Sequence, residues 1–158
     1  MITDAVSDSD VREHLAEAVQ QRGWRVASAE SVTAGLVADQ LAQAPSASDW
    51  FLGGVVAYAT EVKQRLLDVA PGPVVNAETA EQMARGVARL LEAQVAVATT
   101  GVGGPDPEEG EPAGTVWVGV YVDGMVTTYR LDVPGDPEDV CTGAAEQAVR
   151  LLEQQLRG

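Results

Sequence analysis

One segment carries much of the information about the fold, and it reads SDWFLGGVVAYATEVK from Ser48 to Lys63. Its order of residues predicts a polar turn, a buried strand at about Gly54 to Ala59 and the first turn of a helix. Strand-to-helix junctions in α/β proteins open onto a crevice where ligands usually bind. The segment also contains Ser48, Tyr58 and Lys63, three groups that together can perform acyl transfer. We therefore expect a functional site at this junction.

Lys63 is the only lysine in the chain, and all the other basic residues except the single histidine are arginines. An amine can lose its proton at accessible pH, whereas a guanidinium effectively cannot. A lysine kept beside a strand end is therefore a candidate for a chemical role, although composition alone favours the alternative. The alternative is a solvated lysine on the surface of a helix.

Length and charge limit the class of protein. The 158 residues predict one domain, spanning residues 1–158, with a hydrophobic core. A net charge of −14 argues against a nucleic-acid partner and against an anionic membrane surface, because both need clustered Lys and Arg. The single cysteine, Cys141, excludes an internal disulfide and fits a reducing compartment. Because no leader-like or membrane-spanning apolar run is found, we expect a cytoplasmic protein.

The rest of the chain alternates between helical and strand patterns. The predicted elements are a helix from Ser7–Asp10 to Gly23, a strand at Trp24–Ala29, a helix from Leu36 to Pro45, a helix from Asn76 to about Leu91, a strand at Gln94–Thr100, a hairpin of Thr115–Val122 with Met125–Val133, and a helix from Asp136 to about Leu156. Helices interleaved with three strands and followed by a hairpin predict a three-layer α/β/α sandwich with a mixed sheet of about five strands.

Two loops are candidates for function. The turn of residues 30–35 follows the first strand and can present backbone N–H groups to an anion. The loop Gly101–Pro112 is long for a compact domain, and long loops are often functional. We predict that its acidic middle is a solvated flap rather than a metal site, because no histidine lies nearby and prolines space the carboxylates irregularly.

Four segments, in the same order and at similar spacings, resemble the motifs of one family. They are Ala29–Gly35 (AESVTAG) against AESCTGG, Ser48–Lys63 against S-x-[YW]-F-x-G-G-x-V-x-Y-x-x-x-x-K, Thr99–Pro105 (TTGVGGP) against T-[TS]-G-I-A-G-P, and Pro112–Val116 (PAGTV) against P-x-G-T-V. On these motifs the chain resembles the CinA C-terminal domain, the nicotinamide-nucleotide amidase family, over nearly its whole length.

The resemblance implies an α/β/α sandwich and the hydrolysis of nicotinamide mononucleotide to nicotinic acid mononucleotide and ammonia. It also implies a homo-oligomer, and we expect no cofactor. Within the matching motifs, substrate binding is predicted for Glu30, Thr33, Gly35, Thr100, Gly101 and Gly104. Backbone amides around Thr100–Gly101 and Ser31–Thr33 are the predicted contacts for an oxyanion and a phosphate.

The predicted chemistry is that of a serine and a lysine. Ser48 attacks the carboxamide carbon while neutral Lys63 takes the hydroxyl proton, and water then hydrolyses the acyl-enzyme. Tyr58 relays the proton or positions the amide, and Ser31 is the second candidate for the nucleophile. A Ser–His–Asp triad is disfavoured, because the sole histidine, His14, lies in the first predicted helix with no turn motif around it.

The chain departs from the family pattern at several positions. Val32, Ala34 and Gly103 replace a cysteine, a glycine and an alanine of the motifs. At the start of the last helix the family usually carries two arginines four residues apart, where this chain has Pro137 and Cys141. Each lost charge-assisted hydrogen bond to a phosphate would cost about 1.5–3 kcal/mol. Two alternatives to the amidase therefore remain. One is a non-catalytic nucleotide-binding or assembly domain of the same fold, and the other is a hydrolase of another small amide.

Overall fold

Five strands form one mixed sheet and helices cover both of its faces in the computed structural model, which describes residues 6–157. In chain order the elements are α1 (Asp8–Arg22), β1 (Val26–Glu30), α2 (Leu36–Ala42), α3 (Ala47–Trp50), β2 (Phe51–Val56), α4 (Thr60–Leu67), α5 (Ala77–Leu91), β3 (Val95–Gly101), β4 (Thr115–Val122), β5 (Met125–Asp132) and α6 (Pro137–Arg157). The strand order is β2-β1-β3-β4-β5. Strands β2, β1 and β3 are parallel to one another. Strand β4 pairs with β3 in the antiparallel direction and forms an antiparallel hairpin with β5. The predicted α/β/α sandwich with a mixed sheet is confirmed.

The two faces of the sheet carry different side chains, because neighbouring residues of a strand point to opposite faces. In β3, Val95 and Val97 pack with residues of α1, α2 and α6, whereas Ala96 and Ala98 pack with residues of α4 and α5. The alanine face lets α5 approach the sheet closely. A Cβ atom at Gly119 of β4 would lie 2.5 Å from the carbonyl oxygen of Ala80 in α5, so this packing distance requires glycine.

Local sequence sets the ends of the helices. The side chains of Ser7, Asn76 and Asp136 each accept a hydrogen bond from the backbone N–H three residues on, at 3.1, 2.8 and 2.9 Å. Gly23 ends α1 in the left-handed conformation, with φ of 65°. These caps and stops confirm the helix ends predicted from sequence. No helix of residues 6–157 combines the length and the apolar character that crossing a membrane requires.

Strand β2 lies earlier in the chain than the predicted Gly54–Ala59. It pairs with β1 from Phe51, opposite Val26, to Val56, opposite Glu30. Because β1 ends at Glu30, the ladder ends there too, after a last bond from the Ala57 N–H to the Glu30 carbonyl at 2.7 Å. The predicted bounds are therefore corrected: the extent of the neighbouring strand, not the apolar run alone, determines where β2 ends.

The connections leave a crevice at the carboxyl ends of β1 and β3. The chain passes from β1 to its neighbour on one side, β2, and then crosses to its neighbour on the other side, β3. Helix α2 follows β1 on one face of the sheet, whereas α4 and α5 connect β2 to β3 on the opposite face. The strand order reverses at this point, and α/β proteins bind ligands at such reversals.

Candidate active site

A cavity of about 200 Å³ opens at the carboxyl ends of the parallel strands. It is formed by the loop after β1, by the turn and helix after β2, by the segment before α5, and by the loop after β3. The predicted site residues that line it are Ser31, Tyr58, Lys63, Thr100, Gly101 and Gly104. The structure thus brings together residues that lie far apart in the sequence.

Lys63 is buried beneath this cavity, with only 2% of its surface exposed. Its Nζ donates a hydrogen bond to the backbone carbonyl of Tyr58 at 2.9 Å. Burial lowers the pKa of the Lys63 ammonium below its ordinary value, while the carboxylates of Glu109 and Glu108 act in the opposite direction. The interpretation of Lys63 as a solvated surface lysine is therefore excluded.

Ser31 lies directly after the last residue of β1 and lines the same cavity as Lys63. It is held in place by its backbone N–H, which donates to the carbonyl of Thr99 in β3 at 3.1 Å. Only 7% of its surface is exposed. The next residue, Val32, also lines the cavity, and no hydrogen bond among residues 6–157 occupies its backbone N–H. A hydroxyl and a free amide donor are therefore adjacent at this edge of the cavity.

Ser48 lies at the opposite end of β2 from Lys63. It is exposed on α3, which ends immediately before the strand, whereas Lys63 lies on α4 after the strand. A strand of this length spans roughly 17–20 Å, which is far beyond the reach of a direct proton transfer. The structure therefore corrects the predicted Ser48–Lys63 pair. The two residues are close in sequence, but β2 separates them, so they lie at opposite ends of this strand.

Tyr58 and Thr100 form parts of the cavity wall. Tyr58 is 70% exposed, and its contact with Lys63 is made by its backbone carbonyl rather than by its hydroxyl. The buried Thr100 donates its hydroxyl to the carbonyl of Val74 at 2.7 Å, which fixes the end of β3 to the segment before α5. Both side chains shape the cavity, and the Tyr58 hydroxyl is free to contact a ligand.

Glu30, predicted to bind substrate, stabilises the start of α2. Its buried carboxylate accepts hydrogen bonds from Thr33 Oγ1 at 2.7 Å and from the backbone N–H groups of Gly35, Val37 and Ala38 at 3.2, 2.7 and 3.0 Å. Thr33 is also buried, with Oγ1 2.8 Å from the hydroxyl of Thr99. These contacts hold the loop that carries Ser31, and none of Glu30, Thr33 and Gly35 lines the cavity, so their predicted binding roles stay predictions.

The acidic loop after β3 contributes to the wall of the cavity, although residues 105–110 are exposed, as predicted for a solvated flap. Both carboxylate oxygens of Glu109 accept the Val74 N–H at 3.0 Å, and one of them also accepts the Val75 N–H at 3.0 Å. Glu108 lines the cavity next to it. Sequence reasoning missed both residues; the only sequence signal was the unusual length of the loop that contains them.

A second cavity, of about 400 Å³, lies between α1 and α6. His14 lines it, 3.9 Å from the Glu153 carboxylate, but no serine, threonine, cysteine or lysine does. Among residues 6–157, no three His, Cys, Asp or Glu side chains come together as a metal site would require. The cavity that contains Ser31 and Lys63 is therefore the better candidate for covalent chemistry.

The comparison with known families agrees with this geometry. Residues 8–156 match the family model of the CinA C-terminal domain. The chain belongs to the CinA C-terminal domain family. It is 41% identical over 143 residues to a CinA-like protein of Frankia casuarinae, an alignment that covers 87% of the chain and 33% of the relative. The chain spans only about a third of the length of the curated relatives that it matches, between 33% and 35%.

Solved structures of the CinA superfamily share the whole fold. A protein from Enterobacter cloacae superimposes with a TM-score of 0.94 at 27% identity, covering 99% of this chain and 96% of that one. The competence damage-inducible protein A from Klebsiella pneumoniae superimposes with a TM-score of 0.90 at 31% identity, covering 96% and 98%. The architecture around the cavity is therefore that of the CinA superfamily.

Two positions near the start of α6 depart from the arginines that the CinA resemblance leads one to expect. Pro137 is the first residue of α6, and Cys141 lies one turn further on. The Cys141 thiol donates to the carbonyl of Thr33 at 3.3 Å, and burial, with the nearby Glu30, raises the pKa of this thiol. The start of α6 therefore packs against the loop that carries Ser31, but it brings no cation there.

Proposed function

We propose that this chain is an amidohydrolase that converts nicotinamide mononucleotide to nicotinic acid mononucleotide and ammonia. The observation that carries the proposal is the presence of Ser31 and the buried Lys63 in one cavity at the point where the strand order reverses. Membership of the CinA C-terminal domain family supports it. We also propose, from family membership alone, that the protein is cytoplasmic and forms a homo-oligomer.

Ser31, and not Ser48, is the nucleophile in this proposal. Its Oγ attacks the carboxamide carbon while neutral Lys63 accepts the hydroxyl proton. The C–N bond then breaks, and Lys63 returns the proton to the departing ammonia. Water then attacks the acyl carbon while Lys63 takes one of its protons. As the bond between the acyl carbon and Ser31 Oγ breaks, Lys63 passes this proton to Oγ, and the nicotinic acid product leaves.

Two features of the cavity suit this chemistry. Burial of Lys63 favours its neutral form, which is the form that a general base requires. The free N–H of Val32, beside Ser31, is a donor for the oxyanion of the tetrahedral intermediate. Tyr58, a largely exposed residue that lines the cavity, positions the amide.

The decisive experiment measures ammonia released from nicotinamide mononucleotide by the protein and by its Lys63→Arg variant. Arginine keeps the positive charge but cannot accept the proton, so we expect the rate to fall by at least about 100-fold. Arg65→Lys, on the exposed side of α4, is the matched control and should leave the rate unchanged. Full activity of Lys63→Arg would overturn the mechanism.

A non-catalytic nucleotide-binding domain is the second candidate, and one observation favours it. Lys63 is the only Lys, Arg or His among the residues lining the cavity, and Pro137 and Cys141 supply no cation at the start of α6. Binding of nicotinamide mononucleotide without ammonia release would support this candidate over the amidase. If nicotinamide mononucleotide does not bind and the protein releases ammonia from another small amide, the proposed substrate is wrong.

A further inference from the structure

The charged groups around the cavity are unusual for a site that accepts a phosphorylated substrate. Besides Lys63, the charged residues that line it are Glu108 and Glu109. Nicotinamide joined to ribose carries a positive charge on its pyridinium ring, so an acidic wall matches the ring rather than the phosphate. This complementarity concerns the same site as the proposed amidase function and rests on that function.

The two glutamates have different surroundings. Glu109 is engaged by the backbone of Val74 and Val75, as described above. The Glu108 side chain is exposed, and no hydrogen bond among residues 6–157 uses its carboxylate. Glu108 is therefore the carboxylate available to a ligand in the cavity.

The backbone around Glu108 is held tightly, which fixes where its side chain starts. Glu108 and Glu111 form a β-bridge, with N–H to carbonyl bonds of 3.1 and 2.8 Å. The two residues between them, Glu109 and Gly110, both have positive φ, 54° and 77°, as in a tight hairpin turn. The left-handed conformation is unfavourable for a glutamate, and it is held here because the Glu109 carboxylate is bonded to the neighbouring segment. The loop is thus a built part of the cavity wall.

We infer that Glu108 is a specificity-determining residue, whose carboxylate faces the cationic pyridinium ring of the bound amide and makes the site prefer it to a neutral amide. A quaternary pyridinium has no N–H to donate, so the attraction is between charges and needs no hydrogen-bond geometry. It also favours the reaction. A cation beside Glu108 offsets the carboxylate that stabilises the Lys63 ammonium, so the bound substrate itself promotes the neutral base.

The test separates binding from turnover by using Ser31→Ala protein. The probes are nicotinamide mononucleotide, with a cationic ring, and its reduced dihydropyridine form, which has a neutral ring and the same ribose and phosphate. In this background Glu108→Gln should raise the dissociation constant of the cationic probe roughly threefold to tenfold at low salt and change that of the neutral probe less than about twofold. Asp106→Asn, an exposed charge change in the same loop but outside the cavity lining, is the control and should alter neither value.

Two results would overturn the inference: equal weakening of both probes, which indicates a structural effect of the loop, or no weakening of either. A second probe pair, cationic 1-methylnicotinamide and neutral nicotinamide, separates this inference from the proposed function. If the nucleotide does not bind but Glu108→Gln selectively weakens 1-methylnicotinamide, the nucleotide substrate is wrong and the charge preference stands. If no cationic amide binds better than its neutral partner, the charge preference is wrong whatever the turnover.

Discussion

At the scale of single residues, Lys63 combines a charged group with an environment that disfavours the charge. Its amine is buried and has one hydrogen-bond acceptor, the Tyr58 carbonyl at 2.9 Å. The carboxylates of Glu109 and Glu108 raise the pKa of this amine and so partly compensate for the burial. Such a balance keeps the proton affinity of the amine adjustable, which is the property expected of a general base.

This balance predicts the pH dependence of the reaction. The base must be neutral, so kcat/KM should rise with pH through the pKa of Lys63 and level off below the ordinary lysine value of about 10.4. Glu108→Gln removes a carboxylate that raises this pKa, so the rising limb should move to lower pH. The measurement is kcat/KM for ammonia release across pH 5–10. A limb that stays in place, or that moves equally in Asp106→Asn, would contradict the role of Lys63 as the base.

Which of the two serines, Ser31 or Ser48, is the nucleophile can be tested with single substitutions. Ser31→Ala should lower kcat for nicotinamide mononucleotide by at least about 100-fold, because it removes the attacking oxygen. Ser48→Ala should keep wild-type activity, since Ser48 is exposed at the far end of β2. Steady-state ammonia release measures both variants. The reverse pattern would restore the pairing predicted from sequence and contradict the site geometry.

At the scale of elements, the junction between β1 and α2 orders the loop of Ser31, the proposed nucleophile. Glu30 ends β1 and receives four hydrogen bonds from the first turns that follow, so the loop between them, which contains Ser31, is fixed at both ends. A negative charge beside the first turn of a helix also interacts favourably with the helix dipole. The carboxylate of Glu30 therefore orders the loop that contains Ser31 from inside the protein.

Glu30→Gln should destabilise the fold by about 1–3 kcal/mol. In the wild-type protein, backbone N–H groups donate to both carboxylate oxygens of Glu30. In the variant, the glutamine NH₂ group replaces one of these oxygens, so a buried backbone N–H loses its acceptor. Urea unfolding measures the loss, with the exposed Glu13→Gln of α1 as the control for the same change of charge. If Glu30→Gln lowered activity and left the unfolding free energy unchanged, the binding role predicted from sequence would be supported instead.

At the scale of the whole molecule, the net charge of −14 is the dominant electrostatic feature. Few of these charges are paired in buried sites, so like charges repel one another across the surface of the folded protein. Self-repulsion of this kind weakens the compact state and is screened by salt, with a Debye length of about 10 Å at 0.1 M.

We therefore expect added NaCl to stabilise the protein. The Tm should be higher at 0.5 M NaCl than at 0.02 M. Unfolding moves the like charges apart and so relieves their repulsion, and salt weakens this repulsion in the folded state. Differential scanning calorimetry at constant pH measures the change, and a neutral osmolyte at matched osmolality is the control. A Tm that is unchanged or lower at high salt would show that specific ion pairs outweigh the overall repulsion.

Local sequence is sufficient to predict the fold class and most of the elements. Alternating and helical patterns predict the sandwich, and side-chain caps such as Ser7 and Asn76 predict helix starts, because these signals depend on residues a few positions apart. Composition alone draws attention to Lys63, because it is the single lysine of the chain, but its chemical role is predicted only from the resemblance of the motifs. The predictions of the fold class and of the elements succeed because their physical cause is local.

Which residues meet depends on the tertiary structure. Ser31, Lys63 and Glu108 come from three separate connections, and they share a cavity because three parallel strands end at the same edge of the sheet. The same topology sends Ser48 to the other edge, and the packing of α2 uses the carboxylate of Glu30. Neither outcome can be read from spacing, because the direction of a strand and the burial of a side chain depend on partners distant in the chain.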